Sequence, residues 1–573
     1  MKKIKTENII YTVIYCVLAV LLINRITYTV IHYDEVFNLY VSFITGLGGK
    51  QHLVDNTYIF QMGDLFNLPF VYLFTRLKGN TAGIVLFLRF IYFLFNVLVS
   101  FVFYKCFKDS IGKRNSILFS LIFLIYSPFE MYSVYYDTAA LLFLLMGAFL
   151  LIKAESAENP FVYRLLAAVC HAFMAYAYPL MVLIPVILCI IIFVFEKGKR
   201  FKNLLPYICG LVSVFLVFVL YVLIFCGPEN LFIFKEGVLD SSIGDRGIGE
   251  IAEKTVSTGG FDWHNIKALV KLRDILFETR SSLYELIPFF FIMLVQWALS
   301  LKWLKKLRWL MIPEVIIAGL INYRSQGGGF VFTRLFAHYF CYAPLFYFFL
   351  EDKKHREIGK RILMYLWIPG LIAFMAVGYT AWFANKAIMG LMPGGIATVI
   401  FMVFIIRECA GARVFDKAFI LLLSSCHLLM FYINYYEDVS YFDSDYKISS
   451  GIFRGLHGTE EDKFSEDLFE YLESFDGEKT YYSNVKQMRY IVGLSDIFSD
   501  YEYDMSSVFD RLSEKKSADE KRKVLDGEAL PGILVLENEK TETQLMERDL
   551  GVVLEKYELS FEEYGYKVYR KSR

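Results

Sequence analysis

Two carboxylates stand side by side in His32-Tyr33-Asp34-Glu35, just past the apolar run that opens the chain. Charged groups at a membrane boundary are costly to desolvate, so a cluster of them calls for a functional explanation. Adjacent carboxylates oppose each other's ionisation, which raises one pKa and fits the pair to act as a base or to hold a cation. The structural alternative is two acids marking where a helix meets water. A third carboxylate, Asp137 in Tyr135-Tyr136-Asp137-Thr138, opens a later apolar run. It reads either as a helix N-cap or as a group converging on the same site. Three arginines complete the set of reactive types. Arg324 and Arg334 flank Gly327–Gly329, and Arg89 lies inside the second apolar run. Arginine holds phosphate bidentately, and glycine amides approach an anion closely. Each arginine also reads as a side chain snorkelling to the interface. His171, in an apolar segment, reads as a hydrogen-bonded packing residue.

Other chemistries lack their motifs. No Walker lysine loop, no GxGxxG after a strand, no GxSxG and no HExxH occurs, which argues against an ATP-driven transporter, a nucleotide-sugar Rossmann enzyme and a zinc protease. The nine cysteines all precede residue 436, with no CxxC spacing.

The elements that must carry these residues are apolar helices. The 573 residues are 56% hydrophobic and 21% charged, with a mean hydropathy of +0.45, too little polar surface for a soluble enzyme. The formal charge of zero hides two opposite parts: residues 436–573 hold 32 Asp+Glu against 19 Lys+Arg, a net of −13, and residues 1–435 a net of +13. Runs of roughly 20 apolar residues predict spans near 9–31, 82–104, 115–131, 136–153, 162–180, 181–196, 204–226, 284–301, 308–322, 330–350, 361–383, 388–406 and 415–435. Pro179 and Pro185 interrupt the run that holds the fifth and sixth. The fold class is therefore a polytopic α-helical membrane protein of about thirteen transmembrane helices.

The connectors alternate in charge. MKKIK, KCFKDSIGKR (105–114), EKGKR (196–200), KWLKKLR (302–308), EDKKHREIGKR (351–361) and RECAGARVFDK (407–417) are basic and predict the cytoplasmic side. The N-terminus is then cytoplasmic, and an odd span count puts the acidic C-terminal part outside. Residues 1–435 form a transmembrane catalytic domain with long outer loops at 32–81 and 227–283; residues 436–573 form a small extracytoplasmic α/β domain. In the first loop, Phe66–Leu77 has the pattern of an interfacial helix. In the tail, KFSEDLFEYLESF (463–475) has helical spacing, KTYYSN (479–484) and GILVLEN (532–538) read as strands, and the last twenty or so residues read as a closing hairpin.

In this order the motifs resemble the C-type membrane glycosyltransferases (GT-C), above all the family of protein O-mannosyltransferases and aminoarabinose transferases. The matches are Asp34-Glu35 in the first outer loop, Arg89 in Phe87-Leu88-Arg89-Phe90, Ser127-Pro128, and Asp137 before a leucine-rich helix. A looser match is Thr333-Arg334-Leu335-Phe336-Ala337-His338-Tyr339. The chain departs from several members at Ala177-Tyr178-Pro179, where they carry a lysine before the proline.

The resemblance implies a transferase that moves a sugar from a polyprenyl-phosphate donor to an acceptor hydroxyl on the outer face of the cell membrane. Asp34 is then the base, Glu35 and Asp137 orient the acceptor or meet positive charge on the sugar, and Arg324, Arg334 and Arg89 bind the donor phosphate. The expected partners are the bilayer, the lipid-linked sugar and an unidentified protein, polysaccharide or lipid acceptor; nucleic acid is not among them. No metal site is assigned, although a divalent cation would suit the carboxylates. Two other classes stay open: a transporter or flippase for a lipid-linked or anionic solute, and a sensor or assembly protein working through its acidic tail.

Overall fold

The computed structural model describes residues 66–124, 132–195, 200–228, 342–380, 388–410, 444–458, 480–482, 533–537, 556–563 and 566–572, with scattered positions between 13 and 63, 294 and 313, 339–340 and 471. The described residues are mostly helical. In chain order the helices are α1 (Leu68–Lys78), α2 (Ile84–Phe107), α3 (Lys113–Leu124), α4 (Tyr136–Ala154), α5 (Pro160–Ala177), α6 (Leu183–Phe195), α7 (Arg200–Tyr221), α8 (Tyr342–Phe349), α9 (Lys353–Ile362), α10 (Ile368–Thr380) and α11 (Met392–Ala410). Among the described residues five helical stretches are long and apolar enough to cross a bilayer: Ile84–Phe107, Tyr136–Ala154, Pro160–Ala177, Arg200–Ile224 and Lys353–Val377. The expected spans at 9–31, 284–301, 308–322 and 415–435 fall largely or wholly outside the described residues.

The chain folds as two compact units. The first comprises Met1–Ile26, Phe90–Leu231 and Ile248–Tyr441. Nearly all of α4 is buried here, which a helix apolar on every side requires. Phe103 and Phe107 of α2, Phe119 and Phe123 of α3 and Phe149 of α4 stack with ring centres 4.7–5.6 Å apart, apart from the looser Phe119–Phe123 pair at 6.2 Å. Such aromatic pairs contribute about 0.5–1.5 kcal/mol each beyond their buried area. Gly210 lets α7 close on α5, since a Cβ there would lie 2.7 Å from Ala168 Cβ and from the Leu165 carbonyl oxygen. The two prolines act differently. Pro179 ends α5 in a 3-10 turn, Pro179–Val182, whereas Pro185 sits in the first turn of α6, where its missing N–H is tolerated.

Direct contacts join three of the basic connectors of this unit, 105–114, 351–361 and 407–417. Arg407 donates to the Ser110 carbonyl at 3.2 Å, and Lys153 pairs with Asp109 at 2.9 Å. Arg164 bonds Glu155 and Asn203, each at 2.9 Å. Glu408 accepts from the backbone N–H groups of Glu351 and Asp352 and lies 2.7 Å from His355 Nδ1.

The second unit comprises Thr27–Arg89, Phe232–Gly247 and Phe442–Arg573. Helix α1 overlaps the interfacial-helix pattern at Phe66–Leu77 and ends at Gly79, whose left-handed φ of 74° returns an N–H to the Thr75 carbonyl at 2.8 Å. Strands β1 (Tyr446–Lys447) and β2 (His457–Gly458) pair antiparallel. A four-stranded mixed sheet follows, ordered β3-β4-β6-β5, from β3 (Thr480–Tyr482), β4 (Ile533–Glu537), β5 (Tyr557–Glu563) and β6 (Tyr566–Lys571). Its β3–β4 pair is parallel and β5–β6 is the closing hairpin, with a register shift between Leu559 and Phe561.

Candidate active site

Glu35, Leu39 and Ser42 are each helical and buried. Leu39 belongs to a core with Val71 of α1 and Ile84, Val85 and Leu88 of α2. Arg89 follows Leu88, and its guanidinium meets Glu35 edge to edge. Nε donates to Oε1 at 2.8 Å and Nη2 to Oε2 at 2.7 Å. The side chains are 0% and 4% exposed, so water screens the pair little. Two of the residues singled out from sequence, assigned separate roles there, are therefore one ion pair.

The same core has a partner that the sequence did not disclose. Ile448, Ile452, Phe453 and Leu456, from the hairpin loop between β1 and β2, complete it. The loop also bonds the start of α2: Gly83 N–H donates to the Gly451 carbonyl at 3.0 Å and Val85 N–H to that of Ile452 at 3.2 Å. Gly83 permits this approach, with φ of 85° and the Arg454 carbonyl oxygen 3.2 Å from where a Cβ would stand. On β2, His457 stacks on Tyr28 with ring centres 3.9 Å apart. Burial, helped by the positive charge of Lys447, pushes the His457 imidazole below its ordinary pKa. The only sequence sign of this brace was its apolar spacing beyond the last predicted span.

Asp137 belongs to the first unit. It is buried in the first turn of α4, two residues past the N-cap Tyr135, so it is not itself the cap. The Tyr135 hydroxyl donates to Asp137 Oδ2 at 3.2 Å, and the Thr138 hydroxyl accepts from Tyr135 N–H at 2.9 Å. A carboxylate in a helix's first turn also meets the favourable end of the helix dipole. Asp34, Arg324 and Arg334 lie outside the described residues. His171 is a packing residue as expected: its Nδ1 lies 2.7 Å from the Tyr207 hydroxyl, and the ring sits over Gly147.

Among the described residues no three His, Cys, Asp or Glu side chains gather as a metal set. Glu35 does not fit a cation ligand while both its oxygens face a guanidinium. Outside the membrane segments, the hydrogen bond from Lys153 holds the Asp109 carboxyl below the usual range.

These features define a class: among the described residues, a mostly helical fold with five helices able to span a bilayer, a small mixed sheet, and buried charged groups near the starts of two apolar helices. The chain is similar in structure to the oligosaccharyltransferase of the archaeon Archaeoglobus fulgidus. Against that enzyme's crystal structure with zinc and sulfate the TM-score is 0.46 at 12% identity, over 94% of this chain and 69% of that one. Against AglB from the same organism, in complex with an inhibitory peptide and a dolichol-phosphate, it is 0.44 at 12% identity, over 94% and 70%. At such scores no side chain and no mechanism transfers from those enzymes. No protein family and no curated protein matches the sequence.

Proposed function

We propose that the chain is a multi-pass membrane glycosyltransferase that moves a sugar from a polyprenyl-phosphate donor to an acceptor hydroxyl at the outer face. The observation that carries this reading is the buried Glu35–Arg89 pair. Desolvating two charges costs more than their attraction returns unless the geometry is close to ideal, so such a pair is weak evidence of a stability device. It makes sense as a fixture that anchors the chain one residue from Asp34, a carboxylate that the chemistry needs held still. Contacts among the connectors 105–114, 351–361 and 407–417 support their sharing one side of the membrane; the N-terminus inside, about thirteen spans and the acidic 436–573 segment outside rest on the charge pattern of the sequence.

In the reaction, Asp34 takes the proton from the acceptor hydroxyl as its oxygen attacks the anomeric carbon. The bond from that carbon to the donor phosphate oxygen breaks, and polyprenyl phosphate leaves. Its charge grows toward the transition state, where Arg324 and Arg334 meet it. Arg89, with one edge of its fork on Glu35, serves first as the partner that fixes Glu35 and second as a phosphate contact. Asp137 meets the positive charge that develops on the sugar. No step passes through a metal ion.

The test uses purified full-length protein in liposomes with radiolabelled polyprenyl-phosphate hexoses and pentoses and an envelope extract as acceptor. Transfer of label to the extract is expected. Asp34→Asn should lower it about 10²- to 10⁴-fold, the usual worth of a positioned base. Near-normal transfer by Asp34→Asn would refute the assignment, and label that crosses the bilayer without leaving its carrier would favour a transporter.

A further inference from the structure

We propose that the basic end of α6, α7 and α9 binds the headgroup of an anionic phospholipid. Three observations meet there, all within the first unit. The Lys360 ammonium of α9 lies 5.3 Å from the centre of the Phe195 ring, the last residue of α6. The Arg200 guanidinium, the first residue of α7, lies 5.5 Å from the centre of Phe193. Phe193 in turn packs edge-to-face on Phe201 at 5.5 Å. Two cations from different helices thus each rest on a ring near the end of α6, and among the described residues neither meets a carboxylate. Their neighbourhood is strongly positive: α9 reads KKHREIGKRI, and Lys353, Lys354, Arg356 and Lys202 are exposed.

The second half of an amphiphile has its place beside them. Val186, Ile190 and Val194 recur every four residues along α6, all about half exposed, and Phe195 at the helix end is 50% exposed. A headgroup phosphate at this basic end therefore has an apolar track for its acyl chains along the same helix. A free phosphate would use only the cations, and a zwitterionic lipid would carry no net charge to match them. Ordinary juxtamembrane lysines attract anionic lipid without order. Here the rings hold the two cations in place before the lipid arrives, because a cation over an aromatic face is drawn to the ring's negative side. The inference rests on these helices standing in a bilayer and not on the transfer reaction proposed above.

The experiment incorporates the full chain into nanodiscs of phosphatidylcholine doped with phosphatidylglycerol and counts the lipids that stay bound, by native mass spectrometry after gentle extraction. The wild-type protein is expected to retain phosphatidylglycerol over phosphatidylcholine. Lys360→Ala and Arg200→Ala should each lower that retention about 5-fold, the worth of one basic charge near a lipid surface. Lys360→Arg should keep it, and Phe195→Leu, which preserves the apolar surface but removes the ring, should lower it with the helices intact. Lys113→Ala, which removes an exposed charge at the start of α3, should leave it unchanged. Wild-type preference surviving the Lys360/Arg200 double variant would overturn the site, as would equal losses from Lys113→Ala or no wild-type preference at all.

Discussion

Arg89 and Glu35, 54 residues apart in the chain, meet through two near-parallel hydrogen bonds of 2.8 and 2.7 Å with both side chains buried. A buried pair of this kind has an asymmetric energetic signature. Losing one partner strands the other's charge and costs about 3–5 kcal/mol, whereas replacing both with apolar groups is often neutral. Arg89→Met is therefore expected to lower thermal stability in detergent sharply. Adding Glu35→Leu should recover much of that loss. Arg89→Lys keeps the charge but cannot form the fork, and should fall between. Additive losses in the cycle would mean that the two groups are not coupled.

Parts of this arrangement were legible from sequence and parts were not, for definite reasons. The apolar length of Ile84–Phe107 and Tyr136–Ala154 announces helices able to span a bilayer, because nothing else satisfies so many backbone groups in an apolar setting. Strands β3 and β4 and the β5–β6 hairpin lie where alternation and turn residues put them. What periodicity cannot supply is the partner of an apolar face. Arg89 stands out inside an apolar run and Glu35 at the boundary of another, yet nothing in their spacing joins them. Charge counting sets residues 436–573 apart, while contacts group Phe442–Arg573 with Thr27–Arg89 through the loop between β1 and β2. A pairing over more than 350 residues leaves no local trace, so it emerges only in the fold.

That loop has a measurable part to play. Ile452 is fully buried against the core that holds the start of α2, one to five residues before Arg89. Ile452→Ala should cost about 2–5 kcal/mol through the cavity it leaves. Because the backbone of Val85 bonds that of Ile452, amide hydrogen exchange at residues 83–88 should quicken in the variant and stay unchanged along α4. Uniform quickening across both would show that the loop braces no particular element.

His457 gives the same region a pH dependence whose sign is fixed by burial. Its folded pKa lies below the ordinary imidazole value, so below about pH 6.5 the unfolded form binds a proton that the folded form resists. Stability should fall as the pH drops through that window and level off below the folded pKa. The charge of Lys447 acts in the same direction as burial, since it disfavours a second positive charge beside it. Protection factors at residues 446–458, taken relative to the intrinsic exchange rate at each pH, should therefore fall between pH 7 and pH 5 in the wild-type protein, and fall less in His457→Gln. Identical profiles for the two would remove His457 as the cause.

Gly147 and His171 test the packing of the first unit directly. A Cβ built on Gly147 would overlap the buried imidazole of His171, so α4 and α5 approach as they do because position 147 has no side chain. The same imidazole is held from the other side by the Tyr207 hydroxyl of α7 at 2.7 Å, which leaves the ring little room to swing away. Gly147→Ala should accordingly cost about 1–3 kcal/mol, the usual range for overpacking a tight contact. His171→Ala should also destabilise, by leaving a cavity and removing the Tyr207 hydroxyl's partner. Combined, the two changes should cost clearly less than their sum, since the smaller side chain at 171 makes room for the added methyl at 147. A double-mutant cycle on melting in detergent measures that difference. A cycle that closes to zero would mean that position 147 does not face His171, and the contact between α4 and α5 would have to be redrawn.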